Sequence, residues 1–255
     1  MPTAFITGAT AGIGAAFARR LASDGFDLVL LARDAERLER TAADLRERYG
    51  VSTETLRADL SSEEGLTAAE ERVRKDVDLL VNNAGFGNKG IFLDVPVTDE
   101  VTMLRVHCEA VLRLTHAVLP GMLDRGRGGV VNVSSVAAFG TRGTYGASKA
   151  WVVNFSRGVA ADIAARSRGR VRVMALCPGF VRTEFHERAQ MDVSGVPPYL
   201  WLKQEDVVDA GLRDLRRGHQ VSVPGVQYKT IVGATRLIPP SLLARMTSNA
   251  GRRYN

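Results

Sequence analysis

The sequence predicts an α/β fold built on a doubly wound parallel sheet of about seven strands with helices on both faces. Short apolar runs alternate with helical patterns from Thr3 to about Val223, without repeats or low-complexity linkers. A glycine-rich turn, Gly8 to Gly14, separates the first apolar run from the first helical pattern. Because parallel sheets bind the phosphates of a dinucleotide at this turn, we expect a sheet of the Rossmann type.

Length and composition predict one domain over residues 1–255. Of the 255 residues, 45% are hydrophobic, which is enough for one large core. Cys108 and Cys177 lack the spacing of metal ligands, so we expect reduced thiols, no metal site and a cytoplasmic location. The first apolar run has no basic leader and ends at Gly8, so we interpret it as a strand and not a signal peptide. No apolar run reaches the length of a membrane span.

The formal net charge is +6, and the C-terminal part of the chain is strongly basic. Residues 206–255 contain eight Lys or Arg and three Asp or Glu. Such a tail can contact nucleic acid or a membrane, but its arginines are interrupted by apolar and proline-containing segments, which is typical of a solvated face. We therefore expect no nucleic-acid partner, and a basic extension over about 224–255 that packs against the substrate lid or a second subunit.

The first strand, Thr3 to Thr7, and an alanine-rich helix ending near Ala22 flank the glycine turn. Glycines let the backbone turn tightly and approach a ligand closely, and the free amides at a helix start attract phosphate. The spacing Gly8-x-x-x-Gly12-x-Gly14 differs from the commoner Gly-x-Gly-x-x-Gly pattern. Its position between strand and helix nevertheless predicts a dinucleotide site.

The second strand, Phe26 to Ala32, is followed by Arg33. An acidic residue at this strand end would bind the ribose hydroxyl of NAD, whereas an arginine can pair with the 2′-phosphate of NADP. We therefore predict NADP(H) in preference to NAD(H). Arg37 is a second candidate for the phosphate; alternatively, both are ordinary arginines at a helix start.

The next two strands are predicted at Val51 to about Leu56 and at Val77 to Val81, after a helix from Asp34 to Tyr49. Ser61 to Glu64 has the sequence of a capping box for another helix. Asp59 and Leu60 follow the third strand, and Asn82-Asn83-Ala84-Gly85 follows the fourth. Small residues at the latter strand end let a ligand ring approach closely.

A long helix is predicted from Asp99 to about Arg125, with His107 among its buried side chains. The strand Val130 to Val133 then leads to two serines and to a helix from about Thr144 to Arg166. Tyr145 and Lys149 lie four residues apart and so share one face of this helix. A cation near a phenol lowers the pKa of the phenol, which suits a general acid/base; alternatively, the pair is ordinary helix surface.

The sixth strand, Val171 to Leu176, ends in Cys177-Pro-Gly-Phe-Val-Arg-Thr183. The segment that follows, at about 184–204, is rich in apolar residues and lies at the carboxyl end of a strand, so it can cover an apolar substrate as a lid. Alternatively, the segment is a loop packed on the surface of the protein, or it contacts a second subunit. A helix from Glu205 to Arg217 and a strand from Val221 to Val223 complete the sheet.

Five motifs occur together in an order that resembles the short-chain dehydrogenase/reductase family. They are Thr7-Gly-x-x-x-Gly-Ile-Gly14, Asn82-Asn-Ala-Gly85, Val133-Ser-Ser135, Tyr145-x-x-x-Lys149 and Pro178-Gly-x-x-x-Thr183. The resemblance covers Thr3 to about Val223. It implies that Tyr145 gives or takes the proton, that Lys149 lowers the pKa of Tyr145 and holds the nicotinamide ribose, and that Ser135 orients the substrate oxygen.

The resemblance also implies a set of cofactor-binding residues. Gly8, Gly12, Ile13 and Gly14 would line the pyrophosphate, Asp59 and Leu60 the adenine, Asn83 and Ala84 the adenosine side, and Val181 and Thr183 the nicotinamide amide. Thr10, Gly85, Pro178 and Gly179 are further expected cofactor-binding residues. His107 occupies the place where the family has an asparagine in its proton relay. An imidazole can also relay a proton; packing is the alternative. The loop between Ser135 and Tyr145 is short, so either Ser134 or Ser135 faces the substrate.

These observations predict an NADP(H)-dependent oxidoreductase that interconverts a carbonyl and an alcohol on a hydrophobic small molecule, as a homodimer or homotetramer. The cofactor would carry the hydride, and the protein would supply position, a proton and electrostatics. The alternative is a binding protein that responds to a dinucleotide without catalysis.

Overall fold

The computed structural model describes residues 1–140, 143–189 and 191–235. Seven parallel strands form one sheet in the order β3-β2-β1-β4-β5-β6-β7. The strands are β1 (Thr3–Thr7), β2 (Asp27–Ala32), β3 (Thr53–Arg57), β4 (Leu79–Asn82), β5 (Gly128–Val133), β6 (Val171–Leu176) and β7 (Val221–Ser222). This topology confirms the predicted doubly wound sheet.

The helices cover both faces of the sheet. They are α1 (Gly12–Ser23), α2 (Ala35–Tyr49), α3 (Glu63–Val73), α4 (Val97–Leu104), α5 (Ala110–Arg125), α6 (Gly143–Ser167), α7 (Phe185–Arg188), α8 (Gln204–Arg216) and α9 (Val226–Thr235). Short 3₁₀ helices lie at Val136–Phe139 and Pro198–Leu200. None of the helices in the described part of the chain is long and apolar enough to cross a membrane.

Strand residues alternate between two hydrophobic cores because successive side chains point to opposite faces. In β1, Ala4 and Ile6 pack with α1, α2 and α8, whereas Phe5 packs with α3, α5 and α6. Both faces are therefore covered, which explains why the strands are almost continuously apolar. The strand ends differ from the predicted ones by at most two residues.

The predicted capping box at Ser61 to Glu64 is wrong. Helix α3 starts one residue later, and the Ser62 hydroxyl caps it by accepting a bond from the Gly65 backbone N–H at 3.1 Å. Ser61 instead donates to the Asp59 carboxylate. A side chain at position 65 would overlap the backbone of Asp59, so the reciprocal Glu of a capping box has no room there.

The long helix predicted from Asp99 to Arg125 is interrupted. It begins at Val97, and Arg105–Glu109 forms one π-helical turn between α4 and α5. His107 lies in this turn. An extra residue per turn changes the direction of the side chains around it, and π turns are frequent at functional sites.

The predicted C-terminal extension at about 224–255 starts with α9, which ends at Thr235. Residues 236–255, which include four arginines of the basic tail, lie outside the described residues.

Candidate functional site

A cleft of about 1380 Å³ lies at the carboxyl ends of the strands. It opens where the strand order reverses between β1 and β4, which is the usual ligand position in doubly wound sheets. The predicted site residues that line it are Gly8, Thr10, Gly12, Ile13, Arg33, Asp59, Leu60, Asn83, Ala84, Gly85, Ser135, Tyr145, Lys149, Pro178, Gly179, Val181 and Thr183. Gly14 and His107 are buried and do not line it.

The glycine turn between β1 and α1 forms a tightly packed cradle. Gly8 and Gly12 have φ angles of 65° and 52°, a region that favours glycine. A Cβ on Gly14 would overlap the carbonyl oxygen of Gly8 and the amide of Asn83. Helix α1 has no side-chain cap on its first turn, so its free amide groups face the turn. This is the arrangement that a phosphate requires.

We expect Gly14→Ala to lower the free energy of unfolding by about 2–4 kcal/mol, because the added methyl overlaps backbone atoms that cannot move independently. Urea denaturation measures this change. Gly158→Ala is the matched control, since no atom of the described residues lies within 4 Å of a Cβ at this exposed position of α6. There, alanine should be neutral or stabilise by about 0.5–1 kcal/mol. Equal effects of the two substitutions would contradict the cradle.

Arg33 follows β2 and is exposed at one end of the cleft. The adjacent acid, Asp34, caps α2 by accepting a hydrogen bond from the Arg37 backbone N–H at 3.0 Å. Arg37 makes a bidentate ion pair with Glu184, in which Nη1 lies 2.9 Å from Oε2 and Nη2 contacts Oε1. Both arginines therefore reach the same end of the cleft, but Arg37 already pairs with a carboxylate.

Asp59 and Asn83 lie in the loops that follow β3 and β4. Burial raises the pKa of Asp59, but the two hydrogen bonds from Ser61 and the positive charge of Arg33 together outweigh this effect and leave the pKa below its ordinary value. The Asn83 amide donates to the carbonyl oxygens of Thr7 and Gly8, at 3.0 and 3.2 Å. The Thr7 hydroxyl, which the sequence analysis did not select, accepts bonds from two backbone N–H groups of this loop. These contacts join the β1 and β4 loops.

The two serines after β5 have different environments. Ser134 is buried, and its hydroxyl donates to the Lys149 carbonyl oxygen at 2.7 Å. Ser135 is half-buried at the cleft, and its hydroxyl oxygen accepts a 3.1 Å bond from the Ala137 backbone N–H. The Ser135 O–H is thus oriented by a turn and can still donate, so Ser135 is the serine that can meet a substrate.

Tyr145 and Lys149 both face the cleft from the first turns of α6. The Lys149 Nζ atom lies 5.7 Å from the centroid of the Tyr145 ring and donates to the Val133 carbonyl oxygen at 3.2 Å. Burial lowers the pKa of Lys149 to about 8. The Tyr145 ring packs against Phe185, with ring centroids 6.1 Å apart. The structure therefore brings a phenol and a cation to one point of the cleft wall.

His107 is buried, and both of its ring nitrogens have partners. Its Nε2 accepts a 3.2 Å bond from the Phe86 backbone N–H, and its Nδ1 lies 3.0 Å from the Ser148 hydroxyl. Since Ser148 donates to the Tyr145 carbonyl oxygen at 2.8 Å, its oxygen accepts from Nδ1–H. Burial and the nearby Lys149 cation hold the pKa of His107 well below its ordinary value. This pattern specifies a neutral imidazole.

Tyr228 of α9 is a site residue that sequence reasoning missed. Its ring covers Gly179, where a Cβ would overlap the ring atoms. Its hydroxyl accepts from the Phe180 backbone N–H at 2.9 Å and donates to the Leu200 carbonyl oxygen at 2.7 Å. Tyr228 therefore holds the loop after β6 against the 198–200 turn. No local motif marks it, because its role depends on contacts 28 and 48 residues away.

Further apolar and aromatic residues line the cleft beside Tyr145. Those that the sequence analysis did not select include Phe86, Phe139, Phe185, Ile231 and Val232. The segment predicted as a lid contains α7. The centroid of its Trp201 ring lies 5.2 Å from that of His186 and 5.6 Å from that of Phe180, which precedes the segment. An isolated bridge between Val181 and Leu202 ties the two ends of this segment together.

Comparisons with known proteins agree with this geometry. A family model described as short chain dehydrogenase matches residues 2–193. The very-long-chain 3-oxoacyl-CoA reductase of Anas platyrhynchos is 36% identical over 193 residues, which cover 71% of this chain and 60% of that enzyme. The alignment thus spans less than two thirds of that relative.

Two solved structures superpose over most of the chain. A short-chain dehydrogenase from Sphingobium yanoikuyae in complex with NADPH is 35% identical, with a TM-score of 0.83 over 92% of this chain and 94% of that one. The bulky-bulky ketone specific alcohol dehydrogenase from Comamonas testosteroni is 30% identical, with a TM-score of 0.80 over 93% and 92%. The chain belongs to the short-chain dehydrogenase/reductase family of oxidoreductases, which act on CH–OH or C=O groups.

Proposed function

We propose that the protein is an NADP(H)-dependent oxidoreductase that interconverts a carbonyl and a primary or secondary alcohol on an apolar substrate. The observation that carries the proposal is the placement of Ser135, Tyr145 and Lys149 on one cleft that also contains the glycine cradle. A hydroxyl, a phenol and a cation thus share a cavity with a phosphate-binding turn, which is the set of groups that carbonyl reduction requires.

The residues of the cleft fit a nicotinamide dinucleotide. The cradle at Gly8, Gly12 and Gly14 leaves no space for side chains, so a pyrophosphate can approach the backbone amides of the turn and of the uncapped α1. The loop after β6, held by Tyr228, would carry the nicotinamide amide at Val181 and Thr183. When bound, the cofactor supplies or accepts a hydride.

In our proposal the chain's own residues handle the oxygen and the proton. Ser135 donates a hydrogen bond to the substrate oxygen, because its hydroxyl is oriented by the Ala137 N–H and lies at the cleft. Tyr145 gives its phenolic proton to that oxygen in reduction and takes it back in oxidation. The Lys149 cation near the ring favours the phenolate and lowers the cost of this transfer.

We assign His107 a positioning role instead of a proton relay. Its two ring nitrogens are hydrogen-bonded to Phe86 and Ser148, so the imidazole connects the loop after β4 with the second turn of α6. Its ring packs edge-on against Tyr145 with centroids 5.7 Å apart. These contacts orient the phenol without requiring His107 to change its protonation.

The cofactor choice rests on Arg33. It is exposed at the adenosine end of the cleft, and its acidic neighbour Asp34 caps α2, so a 2′-phosphate would meet an exposed guanidinium there, whose charge also attracts the Asp59 carboxylate. The NADPH complex of the Sphingobium yanoikuyae relative supports the same choice.

Replacing Arg33 by alanine should weaken NADPH binding by about 10- to 100-fold and leave NADH binding nearly unchanged, because one charge-assisted phosphate contact is lost. A fluorescence titration of purified protein with both cofactors in parallel measures this. Arg40→Ala is the matched control: Arg40 lies on α2, seven residues after Arg33, and pairs with Glu36 outside the cleft. Tighter binding of NADH than NADPH by the wild type would overturn the cofactor assignment.

The apolar lining supports a hydrophobic substrate. Phe139, Phe185 and Ile231 line the cleft that contains Tyr145, and the relatives named above act on very-long-chain 3-oxoacyl-CoA and on bulky-bulky ketones. The experiment is to supply NADPH with a panel of bulky ketones and 3-oxoacyl thioesters and to identify the alcohol product. Reduction of small polar ketones alone would contradict the substrate class.

A further inference from the structure

The Arg37–Glu184 ion pair joins two segments of the chain that follow distant strands. Arg37 lies in the first turn of α2, directly after β2, and Glu184 lies eight residues after the end of β6. Strands β1, β4 and β5 lie between β2 and β6 in the sheet. The pair is therefore a connection between the adenosine end of the cleft and the start of the predicted substrate lid.

The chain leading to Glu184 passes close to the glycine cradle. A Cβ on Gly12 would lie 3.1 Å from the Cβ of Thr183, the residue before Glu184. Arg37 and Glu184 both line the cleft that contains Arg33. A 2′-phosphate bound by Arg33 would therefore arrive within the same end of the cleft as the Arg37 guanidinium.

The pair has the properties of a contact that a phosphate can replace. The two side chains are 31% and 41% exposed, so solvent screens their attraction. A phosphate carries more charge than a carboxylate and also presents several acceptor oxygens to the fork of an arginine. One guanidinium cannot hold two such bidentate partners through the same N–H groups.

We propose that Glu184 is a specificity-determining residue: it holds Arg37 in the free enzyme and yields it to the 2′-phosphate of NADP(H), which removes this one contact from the start of the substrate lid. The proposal rests on the proposed NADP(H)-dependent function. NAD(H) lacks the 2′-phosphate and would leave the pair intact, so the lid would respond to one dinucleotide and not to the other.

The first test is binding of 2′,5′-ADP and 5′-AMP, which differ in the 2′-phosphate, measured by calorimetry on the full chain. Glu184→Gln should strengthen binding of 2′,5′-ADP about three- to tenfold, because Arg37 no longer has to leave a carboxylate. Binding of 5′-AMP should change much less. Glu205→Gln is the control, since it removes the same charge from an exposed pair with Arg19 outside the cleft.

The second test measures a change in the lid through the fluorescence of Trp201. Trp201 lies in the segment after Glu184, with the Arg182 guanidinium 5.3 Å from its ring. In a Trp151→Phe background, Trp201 is the sole tryptophan, and NADP⁺ should shift its emission whereas NAD⁺ should not. Adding Glu184→Gln should produce part of the same shift without any ligand.

The outcomes separate this inference from the proposed function. If neither 2′,5′-ADP nor NADP⁺ binds the wild type, the proposed function fails. If both bind but Glu184→Gln leaves the affinity and the Trp201 emission unchanged, only the inference fails. Weaker binding of 2′,5′-ADP by Glu184→Gln would also contradict it, because Glu184 would then orient Arg37 for the phosphate and not compete with it.

Discussion

Replacing Tyr145 by phenylalanine should lower kcat/KM for carbonyl reduction by about 10²- to 10⁴-fold, the usual range for loss of a general acid. The substitution removes the phenolic oxygen and keeps the ring, so the packing against His107 and Phe185 persists. NADPH affinity and the free energy of unfolding should therefore change far less than turnover. Steady-state kinetics, cofactor titration and urea denaturation of one preparation measure the three quantities.

Tyr199→Phe is the control for this substitution. Tyr199 is 71% exposed and does not line the cleft, so removing its hydroxyl should leave kcat/KM unchanged. Turnover by Tyr145→Phe at the wild-type rate would show that another group protonates the oxygen. Ser135 would then be the group to test next.

Replacing Lys149 by methionine should reduce activity strongly and yet stabilise the protein. Burial lowers the pKa of Lys149 to about 8, which means that keeping the cation in the folded state costs free energy and lowers stability. Methionine has a similar length and no charge, so at pH 7 the free energy of unfolding should rise by about 1–3 kcal/mol. Turnover should fall because the charge beside Tyr145 is lost.

The stabilisation by Lys149→Met should become smaller as the pH rises. Below pH 8 the folded wild type keeps the buried cation, so the free energies of unfolding of wild type and Lys149→Met differ most there. Between pH 8 and the ordinary lysine pKa of about 10.5, the unfolded chain binds more protons than the folded one, so wild-type stability rises and the difference shrinks. Urea denaturation of both proteins at pH 7 and at about pH 10 tests this.

Lys229→Met is the control for the stability measurement, because Lys229 is exposed to solvent on α9. If Lys149→Met instead lowers the free energy of unfolding, and by the same amount at pH 7 and at about pH 10, the proposed cost of burying the Lys149 cation would be contradicted. The Lys149 hydrogen bond to Val133 would then outweigh the cost of burying the charge.

The hydrophobic pattern of the sequence was sufficient to predict the strands of the sheet, because parallel strands buried on both faces are continuously apolar. The strand at Thr3–Thr7 was predicted with its exact ends, and β2 begins only one residue later than predicted. Helix ends were predicted less well where tertiary contacts decide them. At α3, the close approach of Gly65 to the backbone of Asp59 selects Ser62 as the cap and excludes the box at Ser61.

The candidate site was predictable where a local motif describes it and not where distant contacts build it. The spacing of Tyr145 and Lys149 is local, and the structure places both at the cleft. The hydrogen bonds of His107 to Phe86 and Ser148, the Tyr228 ring over Gly179 and the Arg37–Glu184 pair each join residues far apart in the chain. Likewise, the choice between Ser134 and Ser135 became possible only with the position of the Lys149 carbonyl.

The most direct test of the account follows the hydride itself. The wild type would be incubated with NADPH carrying deuterium at the transferable ring position and with a bulky ketone, and the product analysed by mass spectrometry. We expect an alcohol with one deuterium at the former carbonyl carbon, formed by the wild type and by Tyr199→Phe and nearly abolished in Tyr145→Phe. Tight binding of NADPH without deuterium transfer to any ketone or 3-oxoacyl thioester would contradict the proposed chemistry and favour a binding protein that responds to the dinucleotide.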